Sequence, residues 1–284
     1  MKLEKIITLA NKNTELRFHG MERSLRATGC NLPVWVIPYD DNLFTLPENS
    51  LWFKDEKVLN WLDGHGAHRM MRKYQCLLTD NYQFVDSDVV FLLNPEDVLQ
   101  PHNGFITSCG HWHDPLETLT KESLQIFKAK TTTWQKSVFN AGQFACDSVL
   151  YSFEELKKFC EYEKNSATAL TFTFHDQPGL NLLVNSTDVA VYNLTQQGNM
   201  QSTWAGDYWD NFEKYWQGEG SKPYIIHWAG CNFSLGRPID NLFLQYLSNS
   251  EKERLENALK LKKGISFYSK AKSRAKKILH GFIK

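Results

Sequence analysis

The stretch Phe84-Val85-Asp86-Ser87-Asp88-Val89-Val90 sets two carboxylates one residue apart inside an apolar run. On an extended chain, side chains at i and i+2 share a face, roughly 6.6 Å apart along the axis. Left unpaired, such carboxylates repel one another and are costly to bury. They belong at a strand end that meets water, or opposite a cation. With 15 aspartates in 284 residues, about 0.8 such triplets arise by chance, so the spacing gains meaning only from its surroundings. Two other places carry groups of similar chemical use. Asp176-Gln177 stands directly before the apolar run that begins at Pro178, where the acid is also a favourable helix cap. His227 closes the run Tyr224-Ile225-Ile226, either as a ligand or as a hydrogen-bonded strand-end histidine.

The elements that must position these groups follow from hydrophobic periodicity. Glu4 to Ala10 is short, β-branched and apolar and ends in Asn11-Lys12-Asn13, which predicts a buried strand and a loop. Phe18, Met21 and Leu25 recur at helical spacing before Gly29, a natural stop, and Pro33 to Asp41 reads as a second strand. Strand, helix, strand in so short a span predicts a right-handed parallel crossover, and hence ligands at the carboxyl ends of the strands. Val58 to Leu78 reads as helical, which puts Arg69 and Lys73 on one face. Tyr82 to Val85 is apolar, with Asp86 and Asp88 at its far end, and Glu96 to Leu99 starts a short helix after the turn at Asn94-Pro95. Asn140-Ala141-Gly142 allows backbone to approach a ligand closely. Cys109, His111 and His113 alternate on one strand face, but no fourth ligand stands at zinc-site spacing, so a loop bordering an acceptor is the better reading.

Composition bounds the class. A chain of 284 residues with 42% hydrophobic content buries a large core. The N-terminus lacks a signal-peptide pattern and no run approaches the ~18 apolar residues of a membrane span, so a cytoplasmic protein is expected. Six scattered cysteines without a C-x-x-C pair are expected to be reduced. The formal charge of zero is uneven: residues 261–284 carry seven lysines, one arginine and no acid, leaving 24 basic against 32 acidic side chains in residues 1–260. Tyr268, Ala271, Ala275, Ile278, Leu279 and Phe282 recur at helical spacing in that tail. A basic amphipathic helix suits an anionic membrane surface, and a solvated helix packed on the domain is the alternative. No nucleic-acid partner is expected.

Taken in order, QCLLTDNYQFVDSDVVFLLNPEDVL, VFNAGQFACDSVLYSFEEL, HDQPGLNLLVN and HWAG resemble the glycogenin-like glycosyltransferases, family 8 of the GT-A fold, over roughly residues 3 to 240. The order and spacing of these motifs carry the resemblance. It implies a Rossmann-like mixed α/β sheet flanked by helices in residues 1–245, followed by a C-terminal basic amphipathic helix within 246–284. It further implies transfer of a sugar from a nucleotide diphosphate donor, with retention of configuration and with Mn²⁺ or Mg²⁺, to a glycan or lipid-linked acceptor.

Carried over residue by residue, Asp86, Asp88 and His227 resemble the family's metal ligands, and Asp176 and Gln177 its catalytic acid-amide pair. Thr8, Ala10 and Asn11 match the strand end that holds base and ribose, Arg69 and Lys73 the basic region near the donor, and Asn140 and Gly142 the sugar contact. The family's closing G-x-x-K-P-W is replaced by HWAGCNFSLGRP, which leaves Arg237 in place of the lysine that clamps phosphate. Two rivals stand beside this reading. A sugar nucleotidyltransferase shares the sheet and the metal but usually opens with a Gly-rich phosphate loop, where this chain has TLANKN. A noncatalytic nucleotide- or sugar-binding protein keeps the site without turnover.

Overall fold

The computed structural model describes residues 1–109, 119, 121–130, 137–171, 176–231, 233 and 236–260. The basic tail, for which an amphipathic helix is expected, lies outside the described residues, as do His111 and His113. Strand β1 (Lys5–Ala10) is buried at every position, as a strand covered on both faces must be. Its side chains alternate between two cores. Ile7 and Leu9 pack with Tyr74, Phe84 and Leu180, while Ile6 and Ala10 pack with Phe18, Met21 and Leu25. Those last three residues lie on helix α1 (Glu15–Ala27), which stops where the sequence predicts. Gly29 there has φ +86°, a conformation that glycine takes without strain.

The remaining elements are β2 (Val34–Pro38), β3 (Ser50–Trp52), α2 (Glu56–Gly64), β4 (Tyr82–Val85), β5 (Val89–Phe91), α3 (Pro95–Leu99), β6 (Phe105–Thr107), α4 (Lys121–Lys130), β7 (Gln143–Cys146), α5 (Phe153–Glu161), α6 (Glu163–Ala169), α7 (Gln177–Val184), β8 (Val191–Asn193), α8 (Phe212–Trp216), β9 (Ile225–His227) and α9 (Asn241–Leu244). Seven strands form one sheet in the order β3-β2-β1-β4-β7-β6-β8. The pairings β1 to β2, β2 to β3, β1 to β4 and β6 to β8 are parallel, and β7 runs against both of its neighbours. Strand order reverses beside β1, with β2 on one side and β4 on the other, which opens a crevice at their carboxyl ends. A second, two-stranded antiparallel sheet pairs β5 with β9. The mixed α/β architecture is the expected one.

Two local expectations change. Asp86 and Asp88 are not neighbours on one strand face, because β4 ends at Val85 and residues 86–88 form a turn into β5, closed by Val89 N donating to Asp86 O at 3.2 Å. Residues Arg69–Leu78 form a tighter helix of three residues per turn, in which positions four apart are about 120° apart around the axis. Arg69 and Lys73 consequently point apart; the first is half exposed and the second buried. All six cysteines are free thiols, and among the described residues no helix is long and apolar enough to cross a membrane.

Residues 249–260 form a helix clamped to α1. Glu251 accepts from both terminal nitrogens of Arg23 (2.6 and 3.0 Å) and from Ser248 N (2.8 Å), and lies 2.8 Å from His19 Nδ1. The Arg23 hydrogen bonds, opposed by burial, hold its carboxyl well below the usual range. A carboxyl lowered in the folded state adds stability above its unfolded pKa of about 4.3 and loses it as pH falls below that value. Glu251→Gln is expected to cost about 1–3 kcal/mol at neutral pH. In urea titrations, the gap between variant and wild type should close as pH falls through the carboxylate range.

Candidate active site

The chain delivers Asp86, Asp88 and His227 to one point by strand pairing. Asp86 N donates to Gly142 O at 2.8 Å, extending the ladder between β4 and β7 by one residue. After the turn, Val89 lies opposite His227 in the β5–β9 pair, and Trp228 N donates to Asp88 O at 3.0 Å. The imidazole therefore stands over the turn that carries the two acids. Thr203 O accepts from His227 N at 2.7 Å and fixes its other edge.

Each carboxylate is divided between a fixed cation and the imidazole. Asp86 Oδ1 is 3.2 Å from Lys73 Nζ, while its Oδ2 is 3.7 Å from His227 Nε2. Asp88 Oδ2 accepts from Arg17 Nη1 at 3.2 Å, while its Oδ1 is 3.3 Å from His227 Nε2. Burial pushes the Asp86 carboxyl up, against the pull of Lys73 and His227. Burial also opposes ionisation of Asp88, but His227 and Arg17 outweigh it and bring the carboxyl down to about 2.

Lys73 is 1% exposed and bridges acids from two elements. Besides Asp86, its Nζ lies 2.7 Å from an Asp176 oxygen, donates to Ala141 O at 3.1 Å and sits 4.8 Å from the Phe84 ring centroid. Asp176 and Asp86 together overcome burial and raise its pKa, so the ammonium stays protonated. Asp176 occupies the N-cap position of α7 yet makes no side-chain capping bond. Its carboxylate serves Lys73 in place of the helix end, which decides against the cap alternative left open by the sequence.

Gly142 is where the backbone comes closest. A Cβ there would overlap the His227 ring and sit 2.5 Å from Asp86 Oδ2. Its N–H donates to Asn140 Oδ1 at 2.8 Å, and Ala141 N donates to Gln177 Oε1 at 3.0 Å. Asn181 then pins Phe139 through both backbone groups, accepting from its N–H at 3.0 Å and donating to its carbonyl at 2.8 Å. Helix α7 thus holds the 139–142 loop against the acids.

A second cluster lies at the ends of β1 and β2. Asn11 Nδ2 donates to Asp40 Oδ2 at 2.8 Å, and Arg69 Nη1 is 3.3 Å from the same oxygen. Thr8 and Ala10, expected beside these groups, are buried inside β1. Arg237 is held elsewhere: Asp240 accepts from its Nε at 2.7 Å and its Nη2 at 2.8 Å, and its guanidinium stacks 4.2 Å from the Trp209 ring centroid. Sequence reasoning missed Arg17, Asp40 and Asn181. The first two sit just beyond strand ends, where the parallel crossover puts ligands, and that placement was the available signal. Asn181 gave none, being one amide in an apolar helix.

The donor set fits a divalent cation. Ligand bonds of about 2.1 Å put neighbouring donors roughly 3.0–3.4 Å apart and opposite ones about 4.2 Å apart. One atom from each of Asp86, Asp88 and His227 falls within 4.8 Å of the others. Two hard oxygens and one imidazole nitrogen suit a first-row divalent ion.

The fold and its strand-end site define a GT-A-like α/β protein. Comparison of the sequence with protein-family models and with curated proteins found no match. Among solved structures, the bifunctional glycosyltransferase WbbM in its apo form superposes with TM-score 0.60 at 15% identity, over 87% of this chain and 50% of that one. This chain thus spans half the length of WbbM. The galactosyltransferase LgtC in complex with donor and acceptor sugar analogs gives TM-score 0.54 at 12% identity, over 88% of this chain and 99% of that one. An active-site glutamine-to-glutamate mutant of LgtC gives 0.55 at 13% identity, over 85% and 94%.

The buried charges predict the response to losing Lys73. Lys73→Met removes the cation that pairs with both Asp86 and Asp176, and is expected to cost about 3–5 kcal/mol in chemical denaturation. A drop below about 1 kcal/mol would mean that the two acids do not depend on it.

Proposed function

We propose that this chain is a metal-dependent glycosyltransferase that moves a sugar from a nucleotide diphosphate donor to a glycan or lipid-linked acceptor, with retention. The observation that supports it most is the meeting of Asp86, Asp88 and His227 at the carboxyl edge of a GT-A-like sheet, beside the Lys73–Asp176 pair. LgtC, of the same fold, was solved with donor and acceptor sugar analogs. Mn²⁺ is the favoured ion, since the site mixes carboxylate and imidazole donors, and Mg²⁺ is the alternative. When bound, the ion neutralises charge that collects on a departing diphosphate.

In this reading Asp86, Asp88 and His227 hold the ion, with Nε2 the coordinating nitrogen. Asp176, held in place by Lys73, accepts hydrogen bonds from hydroxyls of the donor sugar, and the Gln177 amide lies near the reacting carbon. Asn140 and the bare backbone at Gly142 let the sugar approach the acids. Asn11, Asp40 and Arg69 form a polar seat for base and ribose at the ends of β1 and β2, with Thr8 and Ala10 shaping it from within the strand. In the transfer, the bond from the anomeric carbon to the diphosphate oxygen breaks with its electron pair left on that oxygen. The acceptor oxygen bonds to the carbon and its proton passes to the diphosphate. We further propose that the protein is cytoplasmic, and that residues 261–284 bring it to the inner face of an anionic membrane where a lipid-linked acceptor lies.

Two experiments test the reading. Incubation with nucleotide sugars and Mn²⁺ should release nucleoside diphosphate, and Asp88→Asn should slow release by more than about 100-fold while circular dichroism stays unchanged. Pyrophosphate made from a nucleoside triphosphate and a sugar phosphate would instead favour the nucleotidyltransferase. For the tail, flotation with liposomes rich in phosphatidylserine should be lost on deleting residues 261–284, and equal flotation would reject the membrane role.

A further inference from the structure

We infer that Arg17, not Arg237, is the side chain that receives the departing diphosphate, and that it does so once a divalent ion has taken its place beside Asp88. The inference rests on the proposed function and assigns a residue that the sequence motifs leave out. Arg17 stands in the first turn of α1, the helix that leaves β1 at the carboxyl edge of the sheet. Its guanidinium reaches Asp88 Oδ2 through Nη1 at 3.2 Å, on the carboxylate oxygen turned away from His227. The Phe233 ring lies 5.7 Å from it and supports its flat face. Its side chain is 34% exposed, so this cation at the metal cluster is also open to solvent. Lys73, 1% exposed, is not.

Arg237 fits the role poorly. Both oxygens of Asp240 take its donors, its guanidinium lies on Trp209, and Asp240 is further fixed by Trp228 Nε1 at 3.0 Å. To meet a phosphate it would have to leave a buried carboxylate. That exchange strands a charge and is strongly unfavourable.

The pairing of Asp88 sets the order of events. Among the described residues, Arg17 holds Asp88 Oδ2 while Oδ1 faces His227. A divalent ion held by Asp86, Asp88 and His227 would bring two positive charges there, take over the pairing of Asp88 and free the fork toward the anion, which guanidinium binds through two parallel bonds. A positive charge at Arg17 repels the ion and attracts the diphosphate, so losing it should affect the two ligands in opposite directions.

The test uses the full chain and needs no turnover. Mn²⁺ affinity is measured by electron paramagnetic resonance without nucleotide, and UDP and GDP affinities by calorimetry at saturating Mn²⁺. For Arg17→Gln, Mn²⁺ should bind about threefold tighter or better, and the nucleoside diphosphate about tenfold weaker or worse. Arg17→Lys, which keeps the charge, should return Mn²⁺ affinity to the wild-type value. A purely structural role would weaken both ligands together. If wild type binds nucleotide but Arg17→Gln fails either to tighten Mn²⁺ or to weaken nucleotide, Arg17 does not have this role. If wild type binds neither UDP nor GDP, the functional reading itself fails.

Discussion

The site depends on how two neighbouring carboxylates are held in place while each keeps one oxygen turned inward. A salt bridge that used both oxygens of each acid would leave nothing for a ligand, and an unpaired acid in this environment would take up a proton. Here each acid gives one oxygen to a protein cation and turns the other toward the same imidazole nitrogen. Lys73 and Arg17 hold the acids from opposite elements, so neither carboxylate rotates freely. The resulting arrangement is compatible with a divalent cation.

The sheet explains why so few residues suffice. β4 delivers Asp86 at its carboxyl end, the antiparallel β7 brings Gly142 beside it, and β9 lays His227 across from Val89. These elements are remote in sequence, and backbone hydrogen bonds between strands bring them together. Side chains enter afterwards, with α7 fixing the 139–142 loop through Asn181 and Gln177. Gly142 marks how tightly the three segments close, since a single methyl group there would displace the His227 ring and the Asp86 carboxylate.

Much of this was legible in the sequence, for identifiable reasons. The buried strand at Lys5–Ala10, the helix ending at Gly29 and the parallel crossover follow from periodicity and stop signals, which are local properties. The three proposed metal ligands converge as the motif order implied. What failed involved geometry that residue types do not encode. Asp86 and Asp88 share a site because of a turn, not because alternate strand residues share a face. Arg69 and Lys73 part because their helix is wound at three residues per turn, a pitch with no marker in MRKYQC. Arg237 followed a motif position, yet its charge belongs to Asp240, three residues along the chain. Arg17 follows the end of β1, a signal in itself, but its pairing with Asp88 across 71 residues of sequence had no local marker.

The claim beneath all of this is that one divalent ion binds where Asp86, Asp88 and His227 meet. Crystals grown with Mn²⁺ and measured near the manganese absorption edge would show it directly. A single strong anomalous peak about 2.1–2.3 Å from Asp86 Oδ2, Asp88 Oδ1 and His227 Nε2 is the predicted result. A peak elsewhere, or none there at saturating Mn²⁺ with Lys73 and Arg17 still paired to the acids, would contradict the account.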